Sequence, residues 1–143
     1  MRIFWGFAPW FNRAVLLAVT IIFTMISVKY ITDPVHTAMA SGISAGSALA
    51  ITTIRVGFGG FPLGSALVTL FCLSATRRLL MGLFFVTTIS GVILITRGVS
   101  VLVDHSTSGN LHLLIAEAIL LTLSTIGIFI ELGRRRHQLP QVA

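Results

Sequence analysis

Apolar residues in this chain fall into long unbroken blocks, without the alternation of a half-buried strand or the single stripe of a surface helix. A helix crossing a bilayer needs roughly 20 apolar residues, and the blocks predict spans over residues 11–28, 48–74, 79–103 and 111–132. Polar residues mark their ends. Lys29, Tyr30 and the turn Asp33-Pro34 close the first span, Arg77 and Arg78 separate the second from the third, and residues 104–110 form a polar loop. Arg134, Arg135, Arg136 and His137 follow the fourth. Ahead of the first span, residues 1–12 hold Phe4, Trp5, Phe7, Trp10 and Phe11 around Pro9, bordered by Arg2 and Arg13. Such rings and cations prefer the headgroup layer, so this stretch is expected to be an interfacial anchor.

One block resists this scheme, because residues 36–74 are too long for one span and too short for two with a connection. Residues 38–47 are read as a short outer segment, helical or re-entrant, rich in small residues. Within it Gly42 and Gly46, continued by Ala50, repeat at the spacing that lets helix backbones approach closely. Further on, Gly57-Phe58-Gly59-Gly60-Phe61-Pro62 weakens a helix, so span two is expected to be kinked near Pro62. Gly59, Gly60 and Gly64 join Gly42 and Gly46 as expected helix-packing positions.

Composition supports the membrane reading: the 143 residues are 55% hydrophobic and only 10% charged, and the mean hydropathy is +0.99. A soluble domain carries about 25% charged residues. The formal net charge of +6 is dispersed at span ends and inside apolar runs, which does not make a nucleic-acid face. The single cysteine, Cys72, excludes an intrachain disulfide and a zinc-finger type of metal site. With Leu70, Phe71 and Leu73 as neighbours it reads as a packing residue. No small-residue cleavage site follows the first apolar block, which is therefore expected to be a retained helix rather than a signal peptide. Arginines crowd the first end and every second connection, whereas the intervening loops carry only Lys29. Both termini are accordingly expected to face the cytoplasm.

Arg55, Arg97 and Glu117 lie well inside the spans, away from their ends, where a lone charge costs about 2.5–3.5 kcal/mol on insertion scales and normally pairs. Counted from the outer ends of their spans, all three fall at roughly 10 Å depth. Asp104 lies above them at the outer loop. A seven-residue step is nearly two helical turns, so Ser90, Arg97 and Asp104 line one face of span three, and Glu117, Ser124 and Glu131 line one face of span four. Arg55, Arg97, Asp104 and Glu117 are thus expected to converge as an intramembrane polar cluster. Three readings of it stand: structural glue between helices, a site whose spare positive charge takes an anionic headgroup or small anion, and a proton relay through Glu117.

Other features are weaker. His105 and His112 flank the outer loop without companions at ligand spacing, and no metal or cofactor is expected. Glu131 with Arg134 and Arg135 has the spacing of an ordinary helix-end ion pair. The run Arg134 to Arg136 reads as a stop signal that also attracts anionic lipid. No G-x-S-x-G, H-E-x-x-H, P-loop or dinucleotide fingerprint occurs.

Asp33-Pro34, the stretch Arg55-Val56-Gly57-Phe58-Gly59-Gly60-Phe61-Pro62-Leu63-Gly64, the run Arg97-Gly98-Val99-Ser100 followed by Asp104, and Glu117 together resemble small bacterial membrane proteins grouped as domain of unknown function 4345. The resemblance runs over nearly the whole chain after about residue 15. It implies a compact four-helix inner-membrane protein, distantly similar to DoxX-like proteins, without an assigned activity. Its matching positions are Arg55, Gly59, Gly60, Arg97, Asp104 and Glu117. Residues 38–47 depart from that pattern, which has a shorter and more polar stretch there.

The expectation from the sequence is therefore an all-α integral membrane four-helix bundle of a bacterial inner membrane. Its expected role is non-enzymatic, as an accessory or lipid-binding subunit, with membrane lipid, a larger membrane complex or further copies of the chain as partners. The alternatives are a transporter or channel component for an anionic solute, and an enzyme acting on a lipid or quinone with Glu117 as acid or base.

Overall fold

The computed structural model describes residues 2–104 and 107–138, and every regular element among them is helical. They are α1 (Arg2–Thr32), α2 (Pro34–Ala40), α3 (Ala48–Ile54), a π-helical turn (Arg55–Gly60), α4 (Phe61–Leu73), a 3₁₀ turn (Thr76–Arg78), α5 (Leu79–Asp104) and α6 (Thr107–Gln138). Among the described residues four stretches are long and apolar enough to cross a membrane: Pro9–Thr32, Ala48–Leu73, Thr76–Asp104 and Asn110–His137. Large apolar side chains such as Leu49, Ile95, Leu102 and Phe129 are exposed, while Asn12, Ser27, Ser65, Thr69, Ser90, Ser124 and Glu131 are buried. That inversion suits a lipid solvent, in which helices associate through close packing and hydrogen bonds. The chain is a multi-pass membrane protein.

The chain divides into two compact units, Met1–Leu16 with Cys72–Ala143, and Leu17–Phe71. In the first, α5 and α6 form an antiparallel hairpin. Leu83 packs at Gly127, the Thr87 hydroxyl bonds to that of Ser124 at 2.9 Å, and Gly91 faces Leu121. Steps of four residues on α5 thus meet steps of three on α6, the ridge-and-groove pairing of left-handed bundles. Two glycines not singled out from the sequence allow close approach: a Cβ on Gly82 would fall 2.7 Å from the Cβ of Cys72 and 2.9 Å from Leu16, and one on Gly127 would fall 2.9 Å from Asn12 Oδ1. Cys72 is buried in this contact, as its apolar neighbours suggested.

The second unit is shaped by the need to satisfy backbone groups away from water. Asp33 caps α2, accepting from the His36 backbone N–H at 3.3 Å and pairing with His36 Nδ1 at 3.0 Å. The side-chain bond from His36 is the main cause that holds the Asp33 carboxyl below its ordinary pKa. At the other end of α2, Ile43 N–H reaches back to the Ala38 carbonyl and Gly42 N–H to that of Met39, each at 2.9 Å. This is a Schellman ending, and it puts Gly42 in the left-handed region at φ 76°. The expected small-residue stripe is therefore corrected. Gly42 sits in a turn and Gly46 outside any helix, so with Ala50 they form no helical face. Nor are residues 38–47 one segment, because the Schellman turn ends α2 at Ala40.

Span two is irregular one turn upstream of the expected kink. Across Arg55–Gly60 the helix widens to a π turn, with Phe61 N–H donating to the Val56 carbonyl five residues back. Pro62 has no N–H to continue an ordinary ladder, and the Ser27 hydroxyl donates to the Gly59 carbonyl at 2.7 Å, supplying a donor from α1. Gly59 is a true packing glycine, since a Cβ there would meet Ile31 at 2.7 Å. Gly60 and Gly64 face no close neighbour. The Thr20 and Thr69 hydroxyls join α1 to α4 at 2.8 Å.

The expected anchor over residues 1–12 is no separate element but the start of α1, which holds Pro9 inside it. The side chains of Arg2, Phe4, Trp5 and Phe7 lie outside the described residues. So do His105 and the tail after residue 138.

Candidate functional site

Arg97 on α5 and Glu117 on α6 meet directly. Nε of Arg97 donates to both Glu117 oxygens at 2.9 Å, and Nη2 approaches Oε1 at 2.7 Å. Nη1 donates to Asn110 Oδ1 at 3.0 Å. The side chains keep 26% and 18% of their exposure, so the pair is shielded without being sealed. Asn110 was not singled out from the sequence, because residues 104–110 read as a loop. Helix α6 instead begins at Thr107, which puts Asn110 on a regular turn facing Arg97.

The other two members of the expected cluster stand differently. Asp104 ends α5 exposed, with no hydrogen bond or ion pair among the described residues. Arg55 opens the π turn, also exposed and without an ion pair among the described residues. His112 is exposed on α6.

Beside the ion pair lies a groove of about 380 Å³ lined by Val92, Ile93, Thr96, Arg97, Ser100 and Asn110. Most of the lining comes from successive turns of one α5 face, apolar at Val92 and Ile93 and polar toward Ser100. A guanidinium has five N–H groups. Glu117 and Asn110 engage three of them, leaving one N–H on each terminal nitrogen of Arg97 without a partner among the described residues. Charge-assisted N–H donors of this kind suit phosphate or carboxylate oxygens.

A second polar centre lies toward the far end of the same unit, roughly 21 Å along α6 from Glu117. Glu131 is fully buried. Its Oε1 accepts from Arg134 Nη2 at 2.6 Å and Arg135 Nε at 3.0 Å, and its Oε2 from Arg134 Nε at 2.9 Å and Asn12 Nδ2 at 3.4 Å. Four donors fill the lone-pair positions of one carboxylate. Arg135 also donates to the Arg77 carbonyl at 2.7 Å, and Arg13 donates to Thr76 at 3.1 Å. Asn12 Oδ1 is buried against Gly127 without a donor. The spacing of Glu131, Arg134 and Arg135 signalled an ion pair; its burial, and the reach of Asn12 from α1, did not show in the sequence.

Removing either partner of the Arg97–Glu117 pair strands a charge in the apolar layer. Arg97→Met and Glu117→Leu are each expected to cost about 2–3 kcal/mol, close to the insertion cost of a lone charge, and the double variant to recover most of that loss. A double-mutant cycle in detergent unfolding measures the coupling; additive single effects would mean the two side chains do not depend on each other.

Comparison with protein-family models, with curated proteins and with solved structures finds no match for this chain. No family model supports the resemblance to domain of unknown function 4345, which rests on Asp33-Pro34 and the short motifs around Arg55, Arg97, Asp104 and Glu117.

Proposed function

We propose that this chain is a non-enzymatic accessory protein of a bacterial cytoplasmic membrane that holds one phospholipid in the groove between α5 and α6. The observation that carries this reading is the pair of Arg97 N–H groups without a partner among the described residues, at the polar end of a groove whose other end is apolar. A lipid phosphate would accept from these N–H groups, with Thr96 and Ser100 also lining the groove, and the start of an acyl chain would lie along Ile93 and Val92. Glu117 cancels the charge of Arg97, so recognition comes from directed N–H donors, and a zwitterionic phospholipid fits as well as an anionic one. This differs from a site built on spare positive charge.

Arg13, Arg77, Arg78 and Arg134 to Arg136 mark the cytoplasmic side by the positive-inside rule, with both termini there and the groove opening from the outer leaflet. The enzyme and proton-relay alternatives have less support. Both oxygens of Glu117 accept from Arg97, and the carboxylate is not part of the groove lining. Anion transport has less support as well, because Glu117 neutralises Arg97, the cation that lines the groove.

A phospholipid carrying a photoreactive group near the start of its acyl chain tests the proposal. Labelling is expected to concentrate on residues 92–100 and to fall at least several-fold in Ser100→Phe, which fills the groove. Labelling spread evenly over all apolar helix faces would overturn it.

A further inference from the structure

The chain's charge is concentrated at the end of the first unit that the groove does not use. Arg13, Arg77, Arg78, Arg134, Arg135 and Arg136 are six of the ten basic residues, and Glu131 is one of the four acidic ones. The group therefore carries a net charge of +5 out of the chain's +6. Three elements are tied together here by hydrogen bonds: α1 through Asn12 and Arg13, the 3₁₀ turn through Thr76 and the Arg77 carbonyl, and the end of α6 through Glu131 and Arg135. The buried carboxylate occupies Arg134 and Arg135 from beneath, so it orders the platform while cancelling only one charge. Arg77 and Arg136 are exposed, and neither side chain has a hydrogen bond or ion pair among the described residues. Trp10 is 67% exposed, with the Arg13 guanidinium 5.9 Å from its ring centroid. An exposed indole beside a cation, at the end of an apolar helix, sits at the headgroup level of a bilayer.

We propose that this arginine platform is a docking surface for anionic phospholipid headgroups of the leaflet it faces, held chiefly by Arg13, Arg77 and Arg136, with Trp10 beside Arg13. Charge complementarity selects the occupant: a dense positive surface at headgroup depth meets lipid phosphates that bring no cation of their own. This site is independent of the groove, where charge is balanced and the donors are directed.

The test uses the full chain in nanodiscs containing phosphatidylglycerol and phosphatidylcholine, with contact measured by spin-labelled lipids of each kind. Phosphatidylglycerol is expected to be preferred by about fivefold or more at low salt, and the preference to collapse toward unity at high salt. The variant Arg13→Gln/Arg77→Gln/Arg136→Gln should lose most of the preference while keeping the groove labelling at residues 92–100, whereas the corresponding triple Lys variant should retain it. Absence of a preference at low salt in the unaltered protein overturns the proposal, as does a preference that survives the Gln variant. Should that variant fail to insert, the salt dependence of the unaltered protein decides between the same two outcomes.

Discussion

Glu131→Ala is expected to be the most destabilising single substitution in the first unit, with a loss of about 3–5 kcal/mol, the range for breaking a buried ion pair from one side. The carboxylate is fully buried and accepts four hydrogen bonds. Its removal leaves Arg134, whose side chain is only 12% exposed, without its countercharge, and leaves the Asn12 amide with neither donor nor acceptor engaged. Arg135 is less committed, because its side chain reaches solvent and its second bond goes to the Arg77 carbonyl. Glu131→Gln should fall between, since the amide keeps one acceptor oxygen but no charge. Glu131→Leu combined with Arg134→Leu should recover part of the loss, because the stranded cation leaves with its partner. Reversible unfolding in mixed micelles gives these differences directly. A loss below about 1 kcal/mol for Glu131→Ala would mean that water or lipid phosphate replaces the carboxylate at no net cost.

Gly82→Ala is expected to destabilise by about 1–3 kcal/mol, the usual cost of overfilling a packed contact. Its added methyl would press on the Cβ of Cys72, an atom fixed to the α4 backbone, and on Leu16 of α1. The Leu16 methyls can turn aside, but the Cys72 Cβ cannot withdraw without moving its helix. Gly64→Ala and Gly98→Ala are the controls, because a Cβ at either position meets nothing within 4 Å. Each should be neutral or stabilising by up to about 1 kcal/mol from helix propensity alone. Equal effects at all three positions would show that Gly82 is not a close-packing position.

Much of this architecture is legible in the sequence. The four spans, the turn at Asp33-Pro34, the short connection at Arg77-Arg78 and an irregularity near Pro62 are all present, within a few residues of where hydropathy and turn chemistry put them. The seven-residue lines on spans three and four also have a counterpart: Arg97 pairs with Glu117, Ser90 and Ser124 are buried, and Glu131 is buried at the end of its line. The Gly42, Gly46 and Ala50 spacing misled because periodicity assumes a continuous helix, and a Schellman turn at Ser41 and Gly42 interrupts it. Asn110 was missed for the opposite reason, since a polar stretch read as a loop is the first turn of a helix.

What the sequence determined by itself is the helical, membrane-crossing character of the chain and where each crossing begins and ends. Those properties depend on composition averaged over about 20 residues, and on the rule that backbone groups in lipid must be bonded within their own helix. Only the tertiary structure decided the rest: that Asn110 joins Arg97 and Glu117 while Asp104 stays exposed, that Glu131 meets Asn12 from a distant helix, and that Gly82 and Gly127 are positions of close approach. Each residue turns a helix by about 100°, so partner choice depends on the rotation and register of neighbouring helices, which a hydropathy average does not carry.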